Sequence, residues 1–264
     1  MARKTIRLGS KKTKNYMDKI IVVIPYFNAQ AQGKELYYSV AGWRKHFKEK
    51  FLIVIVGDYH PVVETGNDIV FIECPRVKDV PGEYRAHLDH VNKFKTVIEK
   101  YPDMKGFIYT CDDIYAVNDF TIDDVVIPKI RENEISSLPT SRNAWRRNNA
   151  KTKALLKKEG LPVKNYVCHL PVYYEVDKLV AIWDKYDCYR NSYVVEQLYF
   201  NTYYKDVEPV HIKASEKRYK FGINKKHWHI DDFRRAMSET VWINNTVYGW
   251  TNRLGILLSQ YYGI

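Results

Sequence analysis

The sequence has few cysteines and no long apolar segment. Only four cysteines occur among its 264 residues, and no two of them have the C-x-x-C spacing: Cys74, Cys111, Cys168 and Cys188. This pattern excludes a zinc knuckle and a disulfide framework, and it favours reduced thiols in a cytoplasmic protein. No run of about 18 apolar residues is present, so the sequence predicts no transmembrane helix. The basic N-terminus has no apolar segment behind it, so a secretory signal peptide is not expected.

The sequence also lacks the two common glycine motifs that bind phosphates. Neither G-x-G-x-x-G after the first apolar run nor G-x-x-x-x-G-K-[ST] occurs, so any bound nucleotide must be held in another way. Acidic residues are the minority among charged side chains, and the net charge of +11 favours a polyanionic partner. Nucleotide diphosphates, nucleic acid, anionic glycans and a membrane surface all meet that condition. The 22 tyrosines and 6 tryptophans suit stacking on sugars or bases.

The first part of the chain alternates short apolar runs with amphipathic ones. The apolar runs predict buried strands at Lys19–Pro25, Phe51–Val56, Ile69–Ile72 and Phe107–Tyr109. The amphipathic runs predict helices at Leu36–Phe47 and Glu83–Lys100. This order of elements predicts an α/β fold with a mostly parallel central sheet flanked by helices.

The second part of the chain has a looser pattern. It predicts a basic loop passing into a helix over Ser136–Leu156, a strand and then a turn over Tyr166–Tyr174, helices at Val176–Tyr186 and at Ser192–Tyr204, and a last amphipathic run over Val241–Tyr262. Ser192 is a plausible N-cap of its helix. Without an internal repeat or a linker, we expect a basic flexible tail over residues 1–18 and a single domain over residues 19–264.

Two adjacent acids follow the apolar strand in the segment GFIYTCDDIYAVNDF, residues 106–120. Asp112 and Asp113 repel each other at this position unless a positive group lies beside them. A hard divalent cation such as Mn²⁺ or Mg²⁺ is the simplest partner, because it takes oxygen ligands and bridges to phosphates. Ligands of open α/β sheets also bind beyond the carboxyl ends of the strands. The alternative is that the two acids only cap a following turn.

Three segments in sequence order resemble the GT-A family of nucleotide-sugar glycosyltransferases. They are IVVIPYFN, FLIVIVGD and YTCDDIY, within residues 19–120. The resemblance implies a GT-A-like nucleotide-diphospho-sugar transferase fold, with a donor-binding half over residues 19–120 and an acceptor-binding half over residues 121–264. It also implies a base-binding loop at Pro25, Tyr26 and Asn28.

The resemblance further implies roles for the acidic residues at the strand ends. Asp58 is expected to meet the nucleoside. The first acid of a strict D-x-D motif is replaced by Cys111, so metal ligation would rest mainly on Asp113, with Asp112 at the catalytic centre in contact with metal, ribose or sugar. Many members of the family complete the metal site with a late histidine, which implies His227 or His229 here. The alternative is a surface histidine pair.

Further candidates come from charged residues elsewhere. Arg85 and Lys93 lie about two turns apart on the second predicted helix and are candidates for diphosphate binding, or for a solvated face. Glu196 stands within an apolar run, where burial would raise its pKa, and it is our candidate general base. Asp231 and Asp232 are the alternatives for that role.

Aromatic residues and one histidine are candidates for the acceptor side. His169 either lines that side or is a hydrogen-bonded core histidine. Tyr173, Tyr174 and Trp145 suit stacking on acceptor rings, although core packing is the more frequent role of such tyrosines.

We therefore expect a metal-dependent enzyme that moves a sugar from a nucleotide diphosphate sugar to an acceptor hydroxyl, on a glycan or on a modified base of phage DNA. A second resemblance, through LYYSVAGWRKHF and CHLPVYY, is to the Stealth sugar-phosphate transferases, whose opening strand differs from IPYFN. The third alternative is a nucleic-acid-binding module without catalysis. The donor sugar, the linkage and the oligomeric state stay open.

Overall fold

The computed structural model describes residues 18–78, 80, 82–136, 139, 141–213, 218–225 and 228–264. The strands in these ranges are β1 (Ile20–Tyr26), β2 (Phe51–Gly57), β3 (Ile69–Glu73), β4 (Gly106–Tyr109), β5 (Ile114–Ala116), β6 (Lys129–Ile130), β7 (Val172–Glu175), β8 (Val210–His211), β9 (Arg218–Ile223) and β10 (Thr240–Asn245). The α-helices are α1 (Glu35–His46), α2 (Gly82–Lys100), α3 (Ile122–Val126), α4 (Ala144–Lys158), α5 (Val176–Tyr186), α6 (Val195–Tyr203), α7 (Ile230–Glu239) and α8 (Asn252–Tyr262). The expected basic tail lies almost entirely outside the described residues.

The central sheet has five strands in the order β3-β2-β1-β4-β7. The first four are parallel to one another, and β7 pairs antiparallel with β4 at one side of the sheet. This arrangement confirms the α/β class with a mostly parallel sheet. Because parallel strands end at the same edge, the segments that follow β1, β2, β3 and β4 all leave the sheet on one side.

The sheet is buried on both faces, which is why its strands read as continuous apolar runs. Successive residues of a strand point to opposite faces. Ile21 and Val23 pack in a cluster with α2, α4, α5 and α6, whereas Val22 and Ile24 pack in a second cluster with α1. Trp43 of α1 is almost completely buried in that second cluster. Helices therefore flank the sheet, as the sequence predicts.

The chain changes sheets at the two adjacent acids. β4 belongs to the central sheet, whereas β5 begins only five residues after β4 ends and joins a second sheet in the order β5-β10-β9. In that sheet Tyr115 pairs antiparallel with Ile243 of β10. Asp112 and Asp113 thus lie at the junction of two sheets, where the backbone is fixed on both sides.

Three element predictions in the second half need correction. The turn precedes the strand in the segment 166–174, because the chain must bend before β7 can pair with β4. Ser192 is no N-cap; it is buried and pairs with Asn148 Oδ1 at 3.0 Å, and helix α6 begins at Val195. The run 241–262 is not one element but β10 followed by α8, separated by a turn that contains Gly249. The predicted helix Val176–Tyr186 is correct at both ends.

Within the described ranges, every helix is too short or too polar to span a lipid bilayer. This agrees with the expectation from the sequence.

Candidate active site

A cleft of about 530 Å³ opens at the carboxyl edge of the parallel strands. The segments after β1, β3 and β4 form part of its wall, and helix α2, the start of α4, the segment before β7 and the start of α6 contribute further side chains. Among the residues that the sequence singles out, its lining includes Pro25, Lys93, Asp112, Asp113, Trp145, His169, Tyr174 and Glu196. The fold therefore gathers in one cleft residues that lie as far apart as 171 positions in the chain.

The loop after β1 is bonded to the end of β2. Tyr26 donates its hydroxyl hydrogen to Asn28 Oδ1 at 3.1 Å, and the Asn28 backbone N–H donates to Asp58 Oδ2 at 2.9 Å. The Asp58 backbone N–H donates in turn to the Tyr26 carbonyl oxygen at 3.2 Å. Gly57 has a φ of 135°, and a Cβ there would collide with that carbonyl. The predicted base-binding residues thus form one hydrogen-bonded unit beside Pro25.

Asp112 lies in the cleft without a cationic partner among the described residues. Burial, followed by the charges of Asp113 and Glu35, raises its pKa to about 7. Among the described ion pairs Asp112 has none, whereas Asp113 is paired with His169. The Nε2 atom of His169 lies 3.1 Å from both carboxylate oxygens of Asp113. His169 is thus exposed and bonded to an acid of the site, rather than a core histidine.

Glu35, at the start of α1, is a third carboxylate of the cleft that the sequence analysis missed. It is almost completely buried, and burial raises its pKa to about 7 despite hydrogen bonds that oppose the shift. One oxygen accepts from Asn245 Nδ2 at 2.6 Å, and the other accepts from the Gln32 backbone N–H at 2.7 Å. The residue had no sequence signal, because a glutamate in a first helical turn is ordinary and its burial depends on β10.

Glu196 lines the cleft from the first turn of α6. Its Oε1 atom is fully buried and has no hydrogen-bond partner among the described residues. Burial raises the pKa of Glu196 to about 8, against the opposing effects of the Lys220 ammonium and of a hydrogen bond from the Cys168 backbone. The Lys220 Nζ atom donates to the Cys168 carbonyl oxygen at 2.7 Å. Glu196 is therefore a carboxyl group with a raised proton affinity facing the cleft.

The two cations predicted on α2 have different surroundings. Lys93 lines the cleft, but it is buried in an ion pair with Asp89, with 2.7 Å between Nζ and Oδ2. Arg85 is exposed, donates to the Val80 carbonyl oxygen at 3.4 Å and does not line the cleft. Lys93 is thus already neutralised in this structure.

Arg76, in the segment after β3, is a cation of the cleft that the sequence analysis missed. Its guanidinium carbon lies 4.2 Å from the ring centroid of Phe27, a residue of the loop after β1. Its Nε atom is buried and has no hydrogen-bond partner among the described residues. A short C-P-R segment after a strand carries no local signal that distinguishes it from a surface loop.

The late histidine and the alternative acids lie elsewhere. His229 is exposed, immediately precedes α7 and does not line the cleft, and His227 lies outside the described residues. Asp231 pairs with Arg234 at 3.1 Å, and Asp232 pairs with an arginine of the same helix at 2.8 Å. These acids stabilise the first turn of α7 and are not among the cleft-lining residues.

Aromatic side chains form part of the cleft wall. The Trp145 ring stacks on His87 of α2, with 5.5 Å between centroids, and remains 44% exposed. Tyr174 also lines the cleft but is buried among other aromatic rings, whereas Tyr173 is not part of the lining. Trp145 is therefore the aromatic residue among these that combines exposure with a place at the cleft.

The described residues contain no group of three or more His, Cys, Asp or Glu side chains arranged to hold a metal ion. Two carboxylates, Asp112 and Asp113, are present; the raised pKa of Asp112 reflects burial first and then repulsion by Asp113 and Glu35, which a cation would relieve. Magnesium is commonly bound by one or two carboxylates together with substrate phosphates and water. The two carboxylates therefore suit a divalent cation whose remaining coordination positions are filled by oxygens of a bound diphosphate.

No protein-family model and no curated protein sequence matches the chain. Among solved structures, one with a similar fold is that of a glycosyltransferase involved in the glycosylation of the major capsid of PBCV-1. The two proteins share 9% sequence identity with a TM-score of 0.40, and the match covers 93% of this chain and 100% of that chain. Two structures of the glycosyltransferase GlyE of Streptococcus pneumoniae TIGR4 are similar at 12% and 11% identity, with TM-scores of 0.40 and 0.41. In both, the match covers 93% of this chain and 60% of GlyE. At these values the likeness says nothing about chemistry, so function is inferred from the cleft.

Proposed function

We propose that the protein is a GT-A-like glycosyltransferase that moves a sugar from a nucleotide diphosphate sugar to an acceptor hydroxyl. The observation that carries this proposal is the juxtaposition, in one cleft, of the acids Asp112 and Asp113 with the loop after β1 and with Glu196. The order of the three sequence segments that resemble the GT-A family supports the same assignment.

The donor nucleoside binds beside the loop after β1. Pro25 lines the cleft, and the hydrogen bonds of Tyr26, Asn28 and Asp58 hold the loop in place before the donor arrives. One oxygen of Asp58 accepts from the Asn28 backbone N–H; the other has no hydrogen-bond partner in the described ranges and would accept from a ribose hydroxyl or a base. Preorganisation of this kind lowers the entropy cost of binding.

Asp112 and Asp113 would hold Mn²⁺ or Mg²⁺ together with the donor diphosphate. The bound cation would neutralise the charge that develops on the leaving nucleoside diphosphate. His169 orients Asp113 through both carboxylate oxygens. The two acids lie between β4 and β5, so the backbone fixes their position relative to the donor loop.

Glu196 is the general base. In its ionised form the carboxylate takes the proton from the acceptor hydroxyl while the acceptor oxygen bonds to the anomeric carbon of the sugar. The bond from that carbon to the diphosphate oxygen breaks, and the leaving group keeps the electron pair. The raised pKa of about 8 makes Glu196 a stronger base than an ordinary carboxylate once it is ionised.

The acceptor that we propose is a sugar hydroxyl of a glycan. Trp145 offers an exposed ring at the cleft, and a tryptophan ring stacks well on a sugar. The alternative acceptor is a modified DNA base, for which Arg142 and Arg146 beside Trp145 would supply charge.

The experiment is a screen of nucleotide sugars with and without Mn²⁺, first by thermal shift and then by product analysis. We expect stabilisation by at least one donor in the presence of Mn²⁺ and release of a nucleoside diphosphate on transfer. Release of a nucleoside monophosphate would instead indicate the sugar-1-phosphate transfer of the Stealth family. The absence of binding by any donor, combined with salt-sensitive binding of DNA, would favour the nucleic-acid-binding alternative.

A further inference from the structure

Arg76 lies on a wall of the cleft where its charge has no described partner. It follows β3 and therefore leaves the sheet at the same edge as the donor loop. The ring of Phe27 supports one face of its guanidinium at 4.2 Å. The buried Nε–H makes no hydrogen bond to any described residue. An unpaired buried donor on a charged group is costly, and such positions in clefts are commonly completed by a ligand.

Unlike Arg76, Lys93 is already paired with an acid. Its ammonium is bonded to Asp89, and the other oxygen of that carboxylate accepts from the Val77 backbone N–H at 3.0 Å. Lys93 would therefore have to break an established buried ion pair to bind an anion strongly. Arg76 has no such pair in the described part of the chain.

Arg76 shares its wall of the cleft with His90, Lys93 and Asp89. Burial lowers the pKa of His90 to about 4; the charge of Lys93 acts in the same direction, the charge of Asp89 opposes it, and the charge of Arg76 lowers it further. The cleft thus contains both Arg76, a cation without a described partner, and the acids Asp112 and Asp113, and a diphosphate with a bound divalent cation would contact both.

We propose that Arg76 binds a phosphate oxygen of the donor diphosphate, with Phe27 holding the guanidinium plane in position. This inference rests on the proposed function and adds a residue of the cleft that receives the diphosphate. A planar guanidinium matches phosphate with two parallel hydrogen bonds, which an ammonium cannot reproduce.

The test compares diphosphates with nucleosides in the full-length protein. Calorimetry with UDP, GDP, CDP and ADP identifies which diphosphate binds the wild type, and the matching nucleoside serves as the probe without phosphates. For Arg76→Met we expect the diphosphate dissociation constant to rise about tenfold or more, because hydrogen bonds to a charged group are lost, while nucleoside affinity stays unchanged. Arg190→Met removes a guanidinium whose side chain is 85% exposed, and it should leave both affinities unchanged.

Arg76→Lys keeps the positive charge and provides a second variant in case Arg76→Met does not fold. It should weaken diphosphate binding less than Arg76→Met does and should also leave nucleoside binding intact. Unchanged diphosphate affinity in both variants, or an equal loss for diphosphate and nucleoside, would overturn the role of Arg76 while leaving the proposed function in place. A wild-type protein that binds none of the four diphosphates would refute both.

Discussion

The Nε2 atom of His169 lies 3.1 Å from both carboxylate oxygens of Asp113. The backbone of His169 has a φ of 54°, in the left-handed region that residues other than glycine rarely adopt. A strained residue that contacts an acid of the cleft is typical of a functional site. We infer that His169 sets the orientation of Asp113.

Removal of the Asp113 carboxylate should abolish transfer and Mn²⁺-dependent donor binding while the protein stays folded, since the main proposed cation ligand is lost. Asp113→Ala is the variant, and Asp206→Ala removes an acid whose side chain is 86% exposed as a control. Activity assays and circular dichroism provide the measurement. Full activity of Asp113→Ala in EDTA would rule out the metal role.

Two replacements of His169 distinguish the effect of backbone strain on stability from the effect of the side-chain contact with Asp113. Both His169→Gly and His169→Ala lose the bond to Asp113, but only glycine adopts a positive φ without strain. His169→Gly should therefore be more stable than His169→Ala by about 1 kcal/mol, measured by urea denaturation. Equal stabilities would show that the left-handed backbone at this position stores no strain.

Loss of the Asp58 carboxylate should weaken nucleotide binding by about 1–3 kcal/mol, because the Asn28 N–H loses its acceptor and the nucleoside loses a contact. Asp58→Ala is the variant. Asp58→Asn keeps one acceptor oxygen and should retain more of the affinity. The measurement is calorimetry with the nucleoside diphosphate that binds the wild type. Unchanged affinity of Asp58→Ala for that diphosphate would count against the GT-A-like assignment.

Glu196 should link stability to pH. Its folded pKa of about 8 lies above the ordinary value of 4.5, so its protonated form stabilises the fold. That contribution is fully present below about pH 4.5 and is lost as the pH rises through about 8. Because the side chain is partly exposed, we expect the free energy of unfolding to fall by on the order of 2 kcal/mol, since one pKa unit corresponds to about 1.4 kcal/mol.

Glu196→Gln provides the measurement, because glutamine does not titrate. Urea unfolding at pH 5 and pH 9 should show a smaller decrease in stability for Glu196→Gln than for the wild type. Transfer by the wild type should increase with pH towards about 8, as the base ionises, and Glu196→Gln should bind donor but not transfer. Wild-type activity in Glu196→Gln would exclude the residue as the base.

The salt dependence of DNA binding tests the choice of acceptor. Arg147 donates to the carbonyl oxygens of Ser141 and Arg142, so replacing it would disturb the loop; Arg142 and Arg146 are exposed and better suited to the test. If DNA is the acceptor, replacing both with alanine should flatten the slope of log affinity against log salt by about 1 per lost phosphate contact. With a glycan acceptor, the double variant should transfer as the wild type does at every ionic strength.

Local sequence patterns predict much of the central sheet. The strands β1 and β2 are continuous branched apolar runs, which only a sheet buried on both faces accommodates. Helix α5 is also correct at both ends, because its apolar residues repeat at helical spacing. Predictions became weaker where an element depends on distant partners, as at Ser192, whose hydroxyl pairs with Asn148 instead of capping α6.

By itself the sequence determined the parallel strands and, through their common edge, a meeting place for the loop after β1 and the two acids. Only the tertiary structure decided which charges are neutralised there. Lys93 is paired within its own helix, whereas Asp113 meets a histidine 56 residues away. Arg76 and Glu35 enter the cleft only because loops and sheets converge on it. The burial that raises the pKa of Glu35 is a property of the folded chain rather than of any short segment.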